Sequence, residues 1–150
     1  MSNQPPYGGY QGGGYPPPSS PGGKTKTLGL DYGVAGLLAY LPICCINVIC
    51  SIIWLASEPK ENKVLRFHAM QSLLLVGVCI VLGIVFWILG FALAVGTPDA
   101  VGFGGSMLLL LVQLVVGGIV LILDIVAMVK AYQQQIWKIP VIGDIADKNT

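Results

Sequence analysis

The stretch Arg66–Leu75, RFHAMQSLLL, decides the fold. A cation, the chain's one histidine, Gln71 and Ser72 run straight into an apolar segment that continues to Val95. A helix from Val64 to Val95 rises well beyond the ~30 Å of a bilayer's hydrocarbon core. It must tilt, or stand its first two turns among the headgroups. RFHAMQS then reads as a helix entrance at a membrane surface. Composition supports that solvent. Only 10% of the 150 residues are charged, against roughly 25% in ordinary soluble domains. Hydrophobic residues make up 55%, and the mean hydropathy is +0.78. Too few charged groups are present to wet a soluble globule. A net charge of +1 gives no reason to expect nucleic acid as a partner; the expected partner is the lipid bilayer.

Working outward, two more apolar segments appear. Leu28–Ala56 holds a first span over about residues 34–56. Pro42 inside it predicts a kink, or at most a break. The polar link Ser57–Lys63 follows. The second span covers about 66–95, Gly96–Asp99 turns the chain, and a third span covers about 107–131. Residues 133–150 read as an interfacial amphipathic tail, with Tyr132 and Trp137 where membrane-surface aromatics belong. Residues 1–27 are Gly, Pro, Tyr and Ser with almost no aliphatic residue, and read as a disordered tail. The expected fold is an all-α membrane protein: a bundle of three transmembrane helices over residues 28–132, flanked by these two tails.

Lys and Arg cluster in the first link and after the third span, and are missing between spans two and three. The positive-inside rule puts loop 57–65 and the C-terminus in the cytoplasm of a multi-pass cell-membrane protein. Three spans leave Lys24 and Lys26 on the far side, against the rule. A rival threading removes that tension: span one dips in and returns at Pro42, as a re-entrant segment shielded by protein. Three spans is the preferred reading.

On a wheel of 100° per residue, His68, Gln71 and Ser72 share one face of span two, extended by Cys79 with Gly83 beside it. Polar and small residues on one face suit a helix contact in lipid. Gly117 with Asp124 does the same on span three, and Gly33 belongs to a small-residue strip on span one. Asp124, the one acid well inside a span, falls within reach of His68 or Gln71. The expectation is a His68–Gln71–Asp124 cluster, with Ser72, pinning spans two and three. It reads as packing glue before proton relay, since a relay needs stations through both membrane halves. Arg66 points nearly the opposite way, and its guanidinium is expected on phosphate headgroups. Asn47, deep in span one, wants a polar partner. Cys44, Cys45, Cys50 and Cys79 read as small buried hydrophobes. With no CxxC pair and one histidine, neither a metal nor a cofactor site is expected. No nucleophile–base pair suggests an enzyme.

RFHAMQS (Arg66–Ser72) and KAYQQQIWKIPVIGDIAD (Lys130–Asp147) together resemble a family of small prokaryotic multi-pass membrane proteins. That family is distantly related to the Tic-type channel subunit of the chloroplast protein import translocon. The resemblance covers roughly Leu37 to Lys148. It implies a multi-pass helical membrane protein and, by distant analogy, a part in protein translocation or insertion. The expected function is a non-enzymatic structural or interaction component that assembles with copies of itself or with another membrane protein. The alternative is a channel or transporter subunit for ions or small solutes.

Overall fold

A computed structural model describes residues 23–43, 45–97 and 99–150. Among them are five helices: α1 (Tyr32–Tyr40), α2 (Ile46–Ser57), α3 (Lys63–Gly96), α4 (Asp99–Tyr132) and α5 (Ile142–Lys148). The helices α3 and α4, 34 residues each, form an antiparallel hairpin about 51 Å long at 1.5 Å per residue. Neither contains proline, and in lipid every backbone group must bond within its own helix. The glycine-rich stretch before residue 107, expected outside the third span, is therefore helical. Its glycines serve the turn. A Cβ added at Gly102 would sit 2.7 Å from the Thr97 hydroxyl and 3.1 Å from the Leu93 carbonyl; one at Gly105 would press on Leu93.

The hairpin is bare toward this turn and packed at its other end. In the most apolar windows of α3 and α4, 6% and none of the residues are buried. The core gathers toward the base, where Ala35, Ala39, Tyr40, Trp54, Leu65, Ala69, Ala127, Ala131 and Ile139 meet, and reaches up α3 as far as Leu75. Cys45 and Cys79 are exposed, contrary to the buried reading, and Cys50 is half-buried. Cys44 lies outside the described residues.

The first expected span is not one membrane-length helix. It breaks between α1 and α2, which at 9 and 12 residues rise about 13 and 18 Å, too short to cross ~30 Å. Pro42 has no N–H to continue α1 and pushes Leu41 into extended backbone (φ −66°, ψ 114°). Cys45, at φ 59°, then reverses the chain into α2. The strip of small residues on α1 seats on α4. A Cβ at Gly33 would come 2.8 Å from the Tyr132 carbonyl, and one at Gly36 2.8 Å from that of Ala131. α2 lies along α3 and leaves Ile46, Ile49 and Ile52 facing outward.

Both ends of the described chain, from residue 23 and to residue 150, fold onto the same base. Of the tail expected to be disordered, residues 1–22 lie outside the described residues. Residues 23–27 enter a turn in which Leu30 N–H donates to the Thr25 hydroxyl (3.1 Å) and Gly29 takes φ +63°. The C-terminal segment doubles back after Tyr132 and ends in α5, packed on the start of α3. Gly143 permits that closure: a Cβ there would lie 2.6 Å from Lys138 Cα and 2.9 Å from Gln71 Oε1. Two ion pairs tie the segment to itself, Lys138 with Asp147 at 2.8 Å and with Asp144 at 3.6 Å.

Candidate functional site

His68 and Gln71 stand one turn apart on α3, fully buried. On a helix this spacing turns both toward the same neighbours, here Tyr40 at the end of α1 and the returning segment Gln135–Ile139. Gln71 uses its amide at both ends. Its Nε2 donates to the Tyr40 hydroxyl (3.0 Å) and to the Trp137 carbonyl (3.3 Å), while its Oε1 accepts from Ile139 N–H (3.2 Å). It thus pairs with the 137–139 backbone much as a neighbouring strand would.

His68 completes the set. Its Nε2 lies 3.0 Å from the Gln135 carbonyl and its Nδ1 3.2 Å from the Tyr40 hydroxyl. A carbonyl can only accept, so the geometry assigns the proton to Nε2, leaving Nδ1 to accept from Tyr40 O–H. Donation then runs one way, from Gln71 to Tyr40 to His68 to the Gln135 carbonyl. Ser72 adds a sixth bond, its hydroxyl donating to the Ala39 carbonyl. That carbonyl lost its usual partner when α1 ended: Ile43 N–H turns instead to Leu41 (2.8 Å). The three polar residues of α3 thus fasten α1 and the C-terminal segment to the hairpin.

Asp124 does not join this cluster. No hydrogen bond links it to His68, Gln71 or Ser72. The returning chain supplies their partners first, and Asp124, eight residues before Tyr132, stands deeper along α4. There it lines a furrow of about 440 Å³ with Asn47, Pro42, Leu75, Cys79 and Gly117. Arg66 departs from expectation too. Its Nη1 donates to the carbonyls of Leu55 (2.7 Å) and Glu58 (3.1 Å), so the guanidinium caps the C-terminus of α2 rather than reaching outward. A cation at that helix end meets the negative pole of its dipole. Of the four residues expected at helix contacts, Gly33 meets Tyr132, whereas a Cβ at Gly83 or Gly117 would meet nothing within 4 Å and Cys79 is exposed.

Two partners escaped the sequence reading. Tyr40 was passed over, though its place two residues ahead of the helix-breaking Pro42 marks a helix end that can face another element. Glu58 is buried to 4% exposure and accepts from Lys26 N–H (2.8 Å) and the Asn62 amide (3.3 Å), holding the N-terminal arm to the link between α2 and α3. A buried carboxylate needs such donors, yet between a helix end and a proline it reads as solvated. Among the described residues, no group of three or more His, Cys, Asp or Glu is placed to hold a metal ion.

Comparison with known proteins gives a consistent answer. The model of the magnetosome magnetite crystal formation protein family matches residues 30–146. A UPF0132 membrane protein of Methanocaldococcus jannaschii is 40% identical over 126 residues, covering 84% of this chain and 94% of the relative. A second from the same organism is 34% identical over 126 residues, covering 83% and 74%. One from Archaeoglobus fulgidus is 35% identical over 115 residues, covering 77% and 91%. These names agree with a prokaryotic membrane-protein family and carry no mention of a Tic-type translocon subunit. No solved structure matches.

Proposed function

We infer a role for this chain from the premise that it belongs to the magnetosome magnetite crystal formation protein family, whose UPF0132 relatives are membrane proteins. The reading is a small, non-enzymatic integral membrane protein that acts as a structural or interaction component, embedded by the α3–α4 hairpin and assembling with copies of itself. One observation carries it: the apolar windows of both long helices are 6% and 0% buried. So much exposed aliphatic surface on two antiparallel helices requires lipid or protein around it.

The hairpin crosses, and α1 and α2 enter only the near leaflet as a re-entrant pair shielded by α3 and α4. The break between them borders the furrow at Pro42, beside Leu75 of α3 and Val120 and Asp124 of α4, and irregular backbone at membrane depth is tolerated where it lines such a cavity. All eight Lys and Arg then lie at the base or within two turns of it, which orients the base toward the cytoplasm of a cell membrane. A channel or transporter role has weaker support, since the outer half of the hairpin offers few polar side chains. The translocation role rests on a distant analogy alone. The mineral in the family's title belongs to its namesakes and is not carried over.

The reading is tested by extraction and sizing. The chain is expected to stay with membranes through alkaline carbonate washing, to need detergent for release, and to sediment above the 15.8 kDa of one copy. Release into the wash as a stable water-soluble globule would overturn it.

A further inference from the structure

Gln113 is the most misplaced side chain of the hairpin. It lies 14 residues from Asp99 and 19 from Tyr132, about 21 and 28 Å along α4 at 1.5 Å per residue. That is close to mid-membrane if the hairpin spans the bilayer, and the inference rests on that reading. The side chain is exposed, and among the described residues nothing bonds to its amide. An amide in hydrocarbon without a partner is costly, and this one is far from either surface. Two hydroxyls nearer the turn bond within the hairpin: Thr97 Oγ1 donates to Leu93 (2.7 Å) and Ser106 Oγ to Gly102 (2.8 Å).

The surroundings say what could cover it. Gln113 lies where two hollows meet along the flank between α3 and α4. One holds Phe86, Gly90 and Leu110; the other, narrower, holds Cys79, Gly83 and Gly117. One turn from Gln113, a Cβ at Gly117 would meet nothing within 4 Å. The backbone of α4 is therefore open to close approach beside its one mid-span amide. A lipid tail would fill the hollow but leave the amide unbonded. The partner must bring a donor and an acceptor to this depth.

We propose that the occupant is a second copy of this chain, set against the Gln113–Gly117 flank of α4 about a two-fold axis normal to the membrane. Both copies insert with the basic end on one side, so such an axis places each α4 residue opposite its own counterpart at the same depth. Gln113 then meets Gln113 of the second copy. The amide carries donor and acceptor together, so the pair is self-complementary. The two joined hollows give α4 of the second copy somewhere to lie.

The test uses the full chain in native membranes, with Cys44, Cys45, Cys50 and Cys79 changed to alanine. Single cysteines are placed on the flank, Leu110→Cys or Gly117→Cys, and on the opposite side of α4, Val115→Cys or Ile122→Cys. Under oxidation the flank positions are expected to give a disulfide-linked dimer and the opposite ones none. In the Leu110→Cys background, Gln113→Leu should lower the dimer yield about fivefold, as the loss of one interhelical polar pair in lipid. This variant is more apolar and should insert at least as well. Dimers formed only through positions 115 or 122, an unchanged yield in Gln113→Leu, or a ladder beyond the dimer overturns the proposal while leaving a self-assembling protein. A monomer by both cross-linking and sedimentation overturns the assembly reading as well.

Discussion

Gln71 holds three partners from two distant stretches of chain, and it is the residue on which the base depends most. Replacing it with leucine keeps the bulk and removes every bond, leaving Ile139 N–H and the Trp137 carbonyl buried without partners. The expected loss is about 2–4 kcal/mol, read from thermal unfolding in micelles, with faster tryptic cleavage at Lys138 as the segment lifts. Arg66→Met should cost about 1–2 kcal/mol through the lost cap on α2. A cap is indifferent to lipid, so the loss should be the same in phospholipid-free micelles; a role on headgroups would make it vanish there. The face formed by His68, Gln71 and Ser72 was legible from helical spacing alone. Its partners were not, because most are main-chain carbonyls and an N–H, which leave no mark in a side-chain pattern. Asp124 drew attention by being an acid among aliphatics, yet nearness in depth does not determine which way a side chain faces.

Between elements, glycines divide into two kinds that look alike in the sequence. Gly36 lets α1 touch the backbone of α4, whereas Gly118 has nothing within 4 Å. Gly36→Val is expected to destabilise the base by about 1–3 kcal/mol through overpacking against a carbonyl that cannot move aside. Gly118→Val, run in the same micelle assay, should change the melting temperature little. The long helices were readable because unbroken apolar stretches of that length have few other uses. The break at Pro42 was harder to judge. Proline alone is compatible with a kink inside a spanning helix. What separates α1 from α2 is the addition of left-handed Cys45 and the capture of the Ala39 carbonyl by Ser72, and both depend on packing against α3.

For the molecule as a whole, the decisive quantity is the number of crossings. The N-terminal arm is bonded to Glu58, and the C-terminal segment to Gln71, so both ends meet one base. Cysteines substituted at Lys24, Lys60 and Asn149 should all react with an impermeant maleimide from the same side of sealed vesicles, and one at Asp99 from the other. Three full crossings would instead separate residue 24 from residue 60. Basic residues had already hinted at this through the unease of Lys24 and Lys26 in a three-span threading, but charge counting cannot say whether a short apolar stretch returns or continues. The closure of the base also sets a timetable. Gln135 is 67 residues downstream of His68, so at about 5–20 residues per second of synthesis the imidazole waits roughly 3–13 s for its acceptor. During that interval the base is held by α1 and α2 alone, and the last latch closes only when the final turn of chain arrives.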